Sequence, residues 1–79
     1  MIRILFFGPI AEQVVAREMQ LEFHAGMRLN DVVQQLQARY AEAFKLVSFI
    51  AVNSMQTKDR QLALNDRDEI AFMSKFSGG

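Results

Sequence analysis

The sequence predicts an α+β fold, in which a mixed sheet of about four to five strands is covered on one face by one main helix. Three observations carry this prediction. Apolar residues alternate with a period of two near both ends of the chain, and one stretch in the middle has a helical period. The resulting order is strand, strand, helix, strand, strand, with the helix as the long crossover between the two halves of one sheet.

The first half of the chain predicts two paired strands. Residues 2–8 are apolar on both faces, as expected of a strand inside a sheet. Gly8 and Pro9 end this strand, and residues 11–17 are expected to form a short helical turn. Residues 19–24 alternate apolar and polar side chains, which is typical of a half-exposed strand. We expect this second strand to pair back on the first in a wide hairpin.

The second half begins with the main helix, expected within residues 25–44. Apolar side chains there recur at the spacing of one helical face: Leu29, Val32, Val33, Leu36 and Tyr40. Residues 46–52 and 69–76 predict two further strands, and residues 53–59 between them are polar and predict a loop. The cluster at 65–68 is rich in turn-forming residues and starts the last strand.

Composition places this chain among ordinary globular proteins. Its 79 residues predict a single domain, 1–79, and the 51% hydrophobic content is sufficient for a core. Lys plus Arg and Asp plus Glu number nine each, so no basic field favours nucleic acid. No apolar run reaches the length of a membrane span and no signal peptide is evident, which predicts a cytoplasmic protein. With no Cys and a single His, His24, no metal site is expected.

The most informative segment is the end of the sequence, Phe76, Ser77, Gly78 and Gly79, which we expect to be a flexible tail. Gly78 and Gly79 have no Cβ and accept almost any backbone conformation. Together with the small side chain of Ser77, Gly78 therefore suits threading through a narrow channel. The chemically useful group is then the carboxylate of Gly79. A frayed chain end gives the same pattern, and the motif alone is weak evidence.

Three segments, together with this tail, carry a resemblance to a known family. They are Ile2 to Phe7 followed by Ala11 and Glu12, then Ala51 to Asn53, and finally Leu64 with Asp68 to Phe72. With these segments and Phe76 to Gly79 at the usual spacing, the chain resembles the small subunit of molybdopterin synthase, a ubiquitin-like sulfur carrier with a β-grasp fold. Arg67 stands where that family often has Gly, and Ser74 and Lys75 stand where it often has prolines.

The resemblance implies a mechanism. A separate ATP-dependent adenylating enzyme would activate the Gly79 carboxylate, and a sulfur donor would displace AMP to leave a thiocarboxylate. That group would give sulfur to a cyclic pyranopterin precursor, and two rounds would build the dithiolene of the molybdenum cofactor. The chain itself would bind no cofactor, since the activating enzyme would use the ATP.

The resemblance also implies an interface with the large synthase subunit, within a heterotetramer. The matching positions are Phe7 and Met73 on the open sheet face, and Phe76 beside the tail. Acid, base and anion-binding side chains are expected on the large subunit, so this chain would be the non-catalytic, sulfur-donating subunit.

Other functions remain open at this point. The same fold and chemistry serve the sulfur carrier of thiamin thiazole synthesis, and a ubiquitin-like modifier that joins its carboxylate to lysines begins with the same adenylate. A β-grasp interaction module whose glycines carry no function is a third alternative. Two side-chain groups receive structural interpretations: Asp66, Asp68 and Glu69 as a solvated turn, and the lysines as unclustered.

Overall fold

A computed structural model describes residues 1–75 of the chain, so the predicted tail at 76–79 lies outside the described residues. The strands are β1 (Ile2–Phe6), β2 (Glu18–Leu21), β3 (Phe49–Val52), β4 (Met55–Thr57) and β5 (Glu69–Met73). The helices are α1 (Gly8–Val14), α2 (Leu29–Arg39) and α3 (Ala41–Phe44).

The five strands form one mixed sheet in the order β2-β1-β5-β3-β4. The wide hairpin predicted at the start of the chain is present, because β1 and β2 are antiparallel neighbours. β5 lies in the middle of the sheet, parallel to β1 and antiparallel to β3. A parallel pair needs a crossover connection, and α2 lies within it. The α+β, β-grasp prediction is confirmed.

One face of the sheet packs against α2 to form the core. Burial alternates along β1 and β5, so Ile2, Ile4 and Phe6 point inward together with Ile70 and Phe72. The buried stripe of α2 consists of predicted residues: Leu29, Val32, Val33 and Leu36. Each fully buried aliphatic or aromatic side chain contributes about 1.5–3 kcal/mol, so packing on this face holds the helix to the sheet.

The main helix begins at Leu29, which is the first residue of the predicted apolar stripe and lies inside the predicted range 25–44. One local hydrogen bond and one from a distant segment of the chain cap its first turn. The Arg28 N–H donates to the Asp31 carboxylate at 2.8 Å, and the Leu29 N–H donates to the Leu62 carbonyl at 2.9 Å. These bonds satisfy backbone groups that have no partner inside a helix, and so fix its start.

The end of the helical region also differs from the prediction. Tyr40 leaves helical geometry at φ −127° and ψ 55°, and the shorter α3 follows it. The Leu46 N–H then bonds to the Ala43 carbonyl at 3.0 Å, which closes a turn where the sequence predicts the start of a strand. The third strand therefore begins at Phe49.

A fifth strand, β4, replaces part of the loop predicted at 53–59. It pairs with β3 through a two-residue turn in which Asn53 and Ser54 have φ values of 51° and 69°. Two positive φ values are the mark of the type I′ hairpin, whose twist matches that of paired strands. The loop prediction was wrong because the strand has only three residues, of which Gln56 and Thr57 are polar.

Candidate functional site

The central strand β5 leads the chain out of the sheet towards the predicted tail. Both neighbours hold its last residues: the Phe7 N–H donates to the Phe72 carbonyl at 3.2 Å, and the Ser48 N–H donates to the Met73 carbonyl at 2.8 Å. Ser74 is buried at 4% exposure, and Lys75 is exposed. Hydrogen bonds to both neighbouring segments therefore anchor the backbone up to Met73.

The sheet face opposite α2 is charged near the start of β5. Arg3 lies there between two carboxylates, with its Nε 3.0 Å from Glu18 Oε2 and its Nη1 3.0 Å from Glu69 Oε2. Hydrogen bonding and charge attraction from Glu18 raise the pKa of Arg3, and the hydrogen bond from Arg3 lowers the pKa of Glu18. This end of the face is therefore polar and internally paired.

The same face becomes apolar towards the end of β5. Leu5, Ala71 and Ala51 lie in register across three neighbouring strands. They form an apolar row in which two of the three side chains are alanine. In the next row Met73 lies opposite Phe49, which is 41% exposed. The open face thus carries an apolar area beside the point where the chain leaves the sheet.

The predicted interface residues occupy this apolar end in part. Phe7 is 43% exposed and Met73 is half-buried, and neither belongs to the core cluster. Phe7 lies one residue beyond β1, at the start of α1, because the first strand ends at Phe6 and not at residue 8. Phe76, Ser77, Gly78 and Gly79 fall outside the described residues.

Phe49 is the exposed aromatic side chain that sequence reasoning missed. The strand predicted at 46–52 included it, but the apolar and polar residues of this run do not alternate regularly and gave no indication of which face Phe49 would take. The register Phe49 to Met73 settles that, since paired residues share a face.

Polar contacts at the opposite end of β5 tie the β3–β4 turn to the last strand. Asn53 Nδ2 donates to Asp68 Oδ1 at 2.9 Å, and Asn53 Oδ1 accepts the Glu69 N–H at 3.0 Å. Asp68 Oδ2 also accepts the Asn65 N–H at 2.7 Å, and the residue is only 8% exposed. The prediction of a solvated turn is wrong for Asp68, because its carboxylate is buried and accepts hydrogen bonds from Asn53 and Asn65.

The other two acids of that cluster are also paired. Asp66 contacts the amino group of Met1, and this hydrogen bond lowers the pKa of the Asp66 carboxyl. Glu69 pairs with Arg3, as described above. Arg67 between them has φ 74°, the left-handed conformation that explains why glycine suits this turn.

The lysines are closer to one another than the sequence indicated. Lys45 and Lys75 line one shallow cavity of about 250 Å³ with Leu46 and Ser48. Lys58 lines a second, of about 280 Å³, which also includes Ser48. The prediction that the lysines are unclustered is therefore wrong for Lys45 and Lys75, which the pairing of β3 with β5 brings to one end of the sheet.

Within residues 1–75, no three His, Cys, Asp or Glu side chains are grouped so that they could hold a metal ion. The described part of the chain also contains no helix that is long and apolar enough to cross a membrane. The exposed apolar end of the sheet, with its basic surroundings, is suited to binding a protein surface.

Comparison with known proteins agrees with this architecture. The sequence profile of the ThiS family matches residues 4–79. No curated protein sequence is similar enough to the chain to count as a match.

Solved structures of several ubiquitin-like proteins superpose closely. A putative molybdopterin converting factor, subunit 1, from Pyrococcus furiosus has a TM-score of 0.81 at 18% identity, covering 92% of this chain and 94% of its own. The small archaeal modifier protein 1 from Methanosarcina acetivorans has a TM-score of 0.77 at 21% identity, covering 99% and 95%. Urm1 from Trypanosoma brucei has a TM-score of 0.76 at 26% identity, covering 99% and 94%.

Proposed function

Because the chain belongs to the ThiS family, we propose that it carries sulfur as a thiocarboxylate on Gly79. The Gly79 carboxylate attacks the α-phosphate of ATP in a separate activating enzyme, which releases pyrophosphate and leaves an acyl adenylate. Hydrosulfide, or the terminal sulfur of a persulfide, then attacks the acyl carbon and AMP departs. Hydrosulfide gives the thiocarboxylate directly, whereas a persulfide gives an acyl disulfide whose sulfur–sulfur bond a thiol must reduce. A carboxylate is a poor electrophile, and the adenylate supplies the leaving group that it lacks.

One observation supports this proposal above the others. The family match extends from Ile4 to the final glycine, and the structure makes β5, the strand before that glycine pair, the central strand of the sheet. A reactive tail needs a rigid base if its end is to reach a partner's active site with defined geometry. β5 supplies this base, since both neighbouring strands bond to it.

The finer proposal concerns the acceptor. We propose a cyclic pyranopterin precursor bound by the large subunit of molybdopterin synthase, with two sulfur transfers that build the dithiolene of the molybdenum cofactor. The supporting observations are the sequence resemblance and the accessibility of Phe7, which is exposed, and Met73, which is half-buried, at the end of the sheet where β5 stops. The large subunit contributes the acid, base and anion-binding groups, and the complex is a cytoplasmic heterotetramer. This chain binds no cofactor of its own.

A second candidate function is conjugation to other proteins. It is favoured by the likeness to Urm1 and to a protein named small archaeal modifier protein 1. Both candidates use the Gly79 adenylate, and they diverge in what attacks the acyl group or its sulfur derivative. A lysine amine forms an isopeptide bond, whereas a sulfur donor forms the thiocarboxylate.

Binding to the large subunit tests the finer proposal. Phe7→Asp and Met73→Asp each place a charge in the apolar end of the open face, where a bound partner would desolvate it. We expect each variant to weaken binding by at least about tenfold in a calorimetric titration, which corresponds to roughly 1.4 kcal/mol.

The matched control is Gln20→Asp, which adds the same charge at the polar end of the same face, opposite Arg3. It should bind as the wild type does. Equal affinity for all four proteins would show that this face is not the interface. Deleting Gly79 should leave the folded domain unchanged and abolish sulfur transfer.

A further inference from the structure

A shallow cavity of about 380 Å³ lies beside the β3–β4 turn. The cross-strand partners Val52 and Met55 both line it, and Val52 belongs to the core. The cavity is therefore on the side of the sheet that faces α2, and not on the open face. It is called the turn cavity below, and its lining includes Val52, Asn53, Met55, Leu62, Asn65 and Asp68.

Asp68 is the one charged residue among the described residues that line the turn cavity. The residue is 8% exposed, and its carboxylate accepts hydrogen bonds from Asn53 Nδ2 at 2.9 Å and from the Asn65 N–H at 2.7 Å. Both of these donors belong to the lining of the same cavity. The carboxylate is thus held at the cavity wall between two neutral residues.

The negative charge of Asp68 has no cation beside it. A buried carboxylate normally has such a partner, because removing a charge from water is unfavourable. Within residues 1–75, the carboxylates that form ion pairs are those of other residues: Glu18, Glu42, Asp66 and Glu69. A carboxylate has about four acceptor positions, and Asp68 uses one on each oxygen. Acceptor positions therefore remain for a donor from another molecule.

The apolar part of the lining indicates which cation suits the cavity. Met55 is 74% exposed, and Leu62 packs against the core from its partly buried position. A long cationic side chain can lay its methylene groups along such a surface while its charged end contacts a polar group. Arginine is better suited than lysine, because its guanidinium is planar, weakly hydrated and able to donate two parallel hydrogen bonds to a carboxylate.

We propose that the turn cavity binds an arginine side chain of a protein partner. The guanidinium donates to the Asp68 carboxylate, and the methylene groups pack on Met55 and Leu62. Charge complementarity identifies this occupant, since the lining combines one anion with an apolar wall. Because the turn cavity and the open face lie on opposite sides of the sheet, such a partner can bind while the open face is occupied. The inference does not rest on the proposed function.

An NMR titration of the full chain with a blocked arginine tests the inference. The probe is N-acetyl-arginine N-methylamide, and N-acetyl-citrulline N-methylamide is the control, because it has nearly the same shape and no charge. We expect saturable shifts of the Asn53 and Asn65 amide signals, with a dissociation constant on the order of 10 mM for a single side chain. The citrulline compound should bind at least about tenfold more weakly, since it forms no charge-assisted hydrogen bond.

Two cavity variants and one control locate the binding. Asp68→Asn removes the charge at nearly the same size and should weaken binding of the blocked arginine at least about tenfold. Because Asp68 also supports the fold, Met55→Lys tests the site from an exposed position. Its added cation should weaken binding by about threefold, and by less at high salt. Val15→Lys makes the same change at an exposed position after α1 and should bind as the wild type does.

Several outcomes would overturn the inference, and thermal melting verifies that each variant is folded. Equal binding of the arginine and citrulline compounds would show that charge plays no part. Equal affinity of the wild type and Met55→Lys, shifts confined to residues outside the lining, or no saturable shift would each exclude the turn cavity. Saturation of the same signals by magnesium or calcium ions at lower concentration would identify a metal site instead. None of these results bears on sulfur transfer, so the proposed function is tested separately.

Discussion

Asn53 and Asp68, fifteen positions apart in sequence, are joined by a 2.9 Å hydrogen bond from Asn53 Nδ2 to Asp68 Oδ1. The bond connects the β3–β4 turn to the start of β5, the strand that leads towards the tail. Because Asn53 also accepts the Glu69 N–H, a single side chain aligns two parts of the sheet. Two of the sequence segments that carry the family resemblance, Ala51 to Asn53 and Asp68 to Phe72, meet at this contact.

Replacing Asn53 should destabilise the fold. In Asn53→Ala the Asp68 carboxylate and the Glu69 N–H both lose a partner, and an unsatisfied buried group costs about 1–3 kcal/mol. Alanine is also strained at φ 51°, so we expect a total loss of about 2–4 kcal/mol in urea unfolding. Asn53→Gly removes the same bonds without the strain and should be less destabilising than Asn53→Ala. Equal midpoints for Asn53→Ala and the wild type would contradict this role.

Glycine at position 15 should stabilise the fold. Val15 ends α1 with φ 63° and is 86% exposed, so a β-branched side chain occupies a left-handed conformation without burying itself. Val15→Gly removes this strain, partly offset by the greater entropy of glycine in the unfolded chain, for a net gain of about 0.5–1 kcal/mol. Glu12→Gly, an exposed substitution inside the same helix, should destabilise by a similar amount. A lower melting temperature for Val15→Gly would count against the explanation.

Truncation of two adjacent residues of β5 should lower the stability by very different amounts. Phe72 is fully buried, with its ring centroid 5.0 Å from that of Phe44 and 6.1 Å from that of Phe6. Phe72→Ala should cost about 3–5 kcal/mol, a large share of the stability of so small a domain. Met73→Ala, on the open face, should cost less than half of that. Similar losses in chemical denaturation would show that the two faces of the strand are not packed as described.

Acid should weaken the fold partly through Glu18. Its pKa is lowered from 4.5 in the folded state by the hydrogen bond from Arg3, so the stabilising contribution is present above that value. It is lost as the pH falls through the lowered folded pKa. Arg3→Gln removes the cation and should reduce the loss of stability between about pH 5 and pH 2. Asp66, whose pKa is also lowered, retains its own acid dependence in the variant.

The measurement is urea unfolding of wild type and Arg3→Gln at several pH values. Parallel curves across the acid range would mean that Glu18 gains nothing from Arg3 in solution. Lys58→Gln provides the comparison, since it removes a cation that is not among the groups that lower the pKa of Glu18 or of Asp66.

The sequence predicted the elements whose hydrophobic pattern is long and regular. Four of the five residues predicted for the core face of α2 are buried on it, and the fifth, Tyr40, lies just past its end. The pairing of β1 with β2 was also predicted, because burial on one face imposes a period that sequence displays. The limits of the strands were less accurate, since backbone bonds in turns decide them. β4 was missed because it has only three residues, two of them polar, and an Asn-Ser turn gives a weak hairpin pattern.

The site was predicted only in part for a related reason. The family resemblance and the sheet face left open by a single helix placed Phe7 and Met73 outside the core, and the structure agrees. It could not show that Asp68 is buried, since that depends on Asn53 being brought beside it. Likewise the proximity of Lys45 to Lys75 depends on strand order, which no local pattern encodes. The roles of Phe76, Ser77, Gly78 and Gly79 stay predictions.

The central claim is that Gly79 carries sulfur, and intact-mass measurement tests it most directly. The chain is incubated with the activating enzyme of its own organism, ATP and a sulfur source, beside a variant that lacks Gly79. We predict a mass gain that matches the replacement of one oxygen by one sulfur, present in the full chain and absent from the deletion variant. An unchanged mass in both proteins, with an active enzyme that consumes ATP on a known substrate, would contradict the claim.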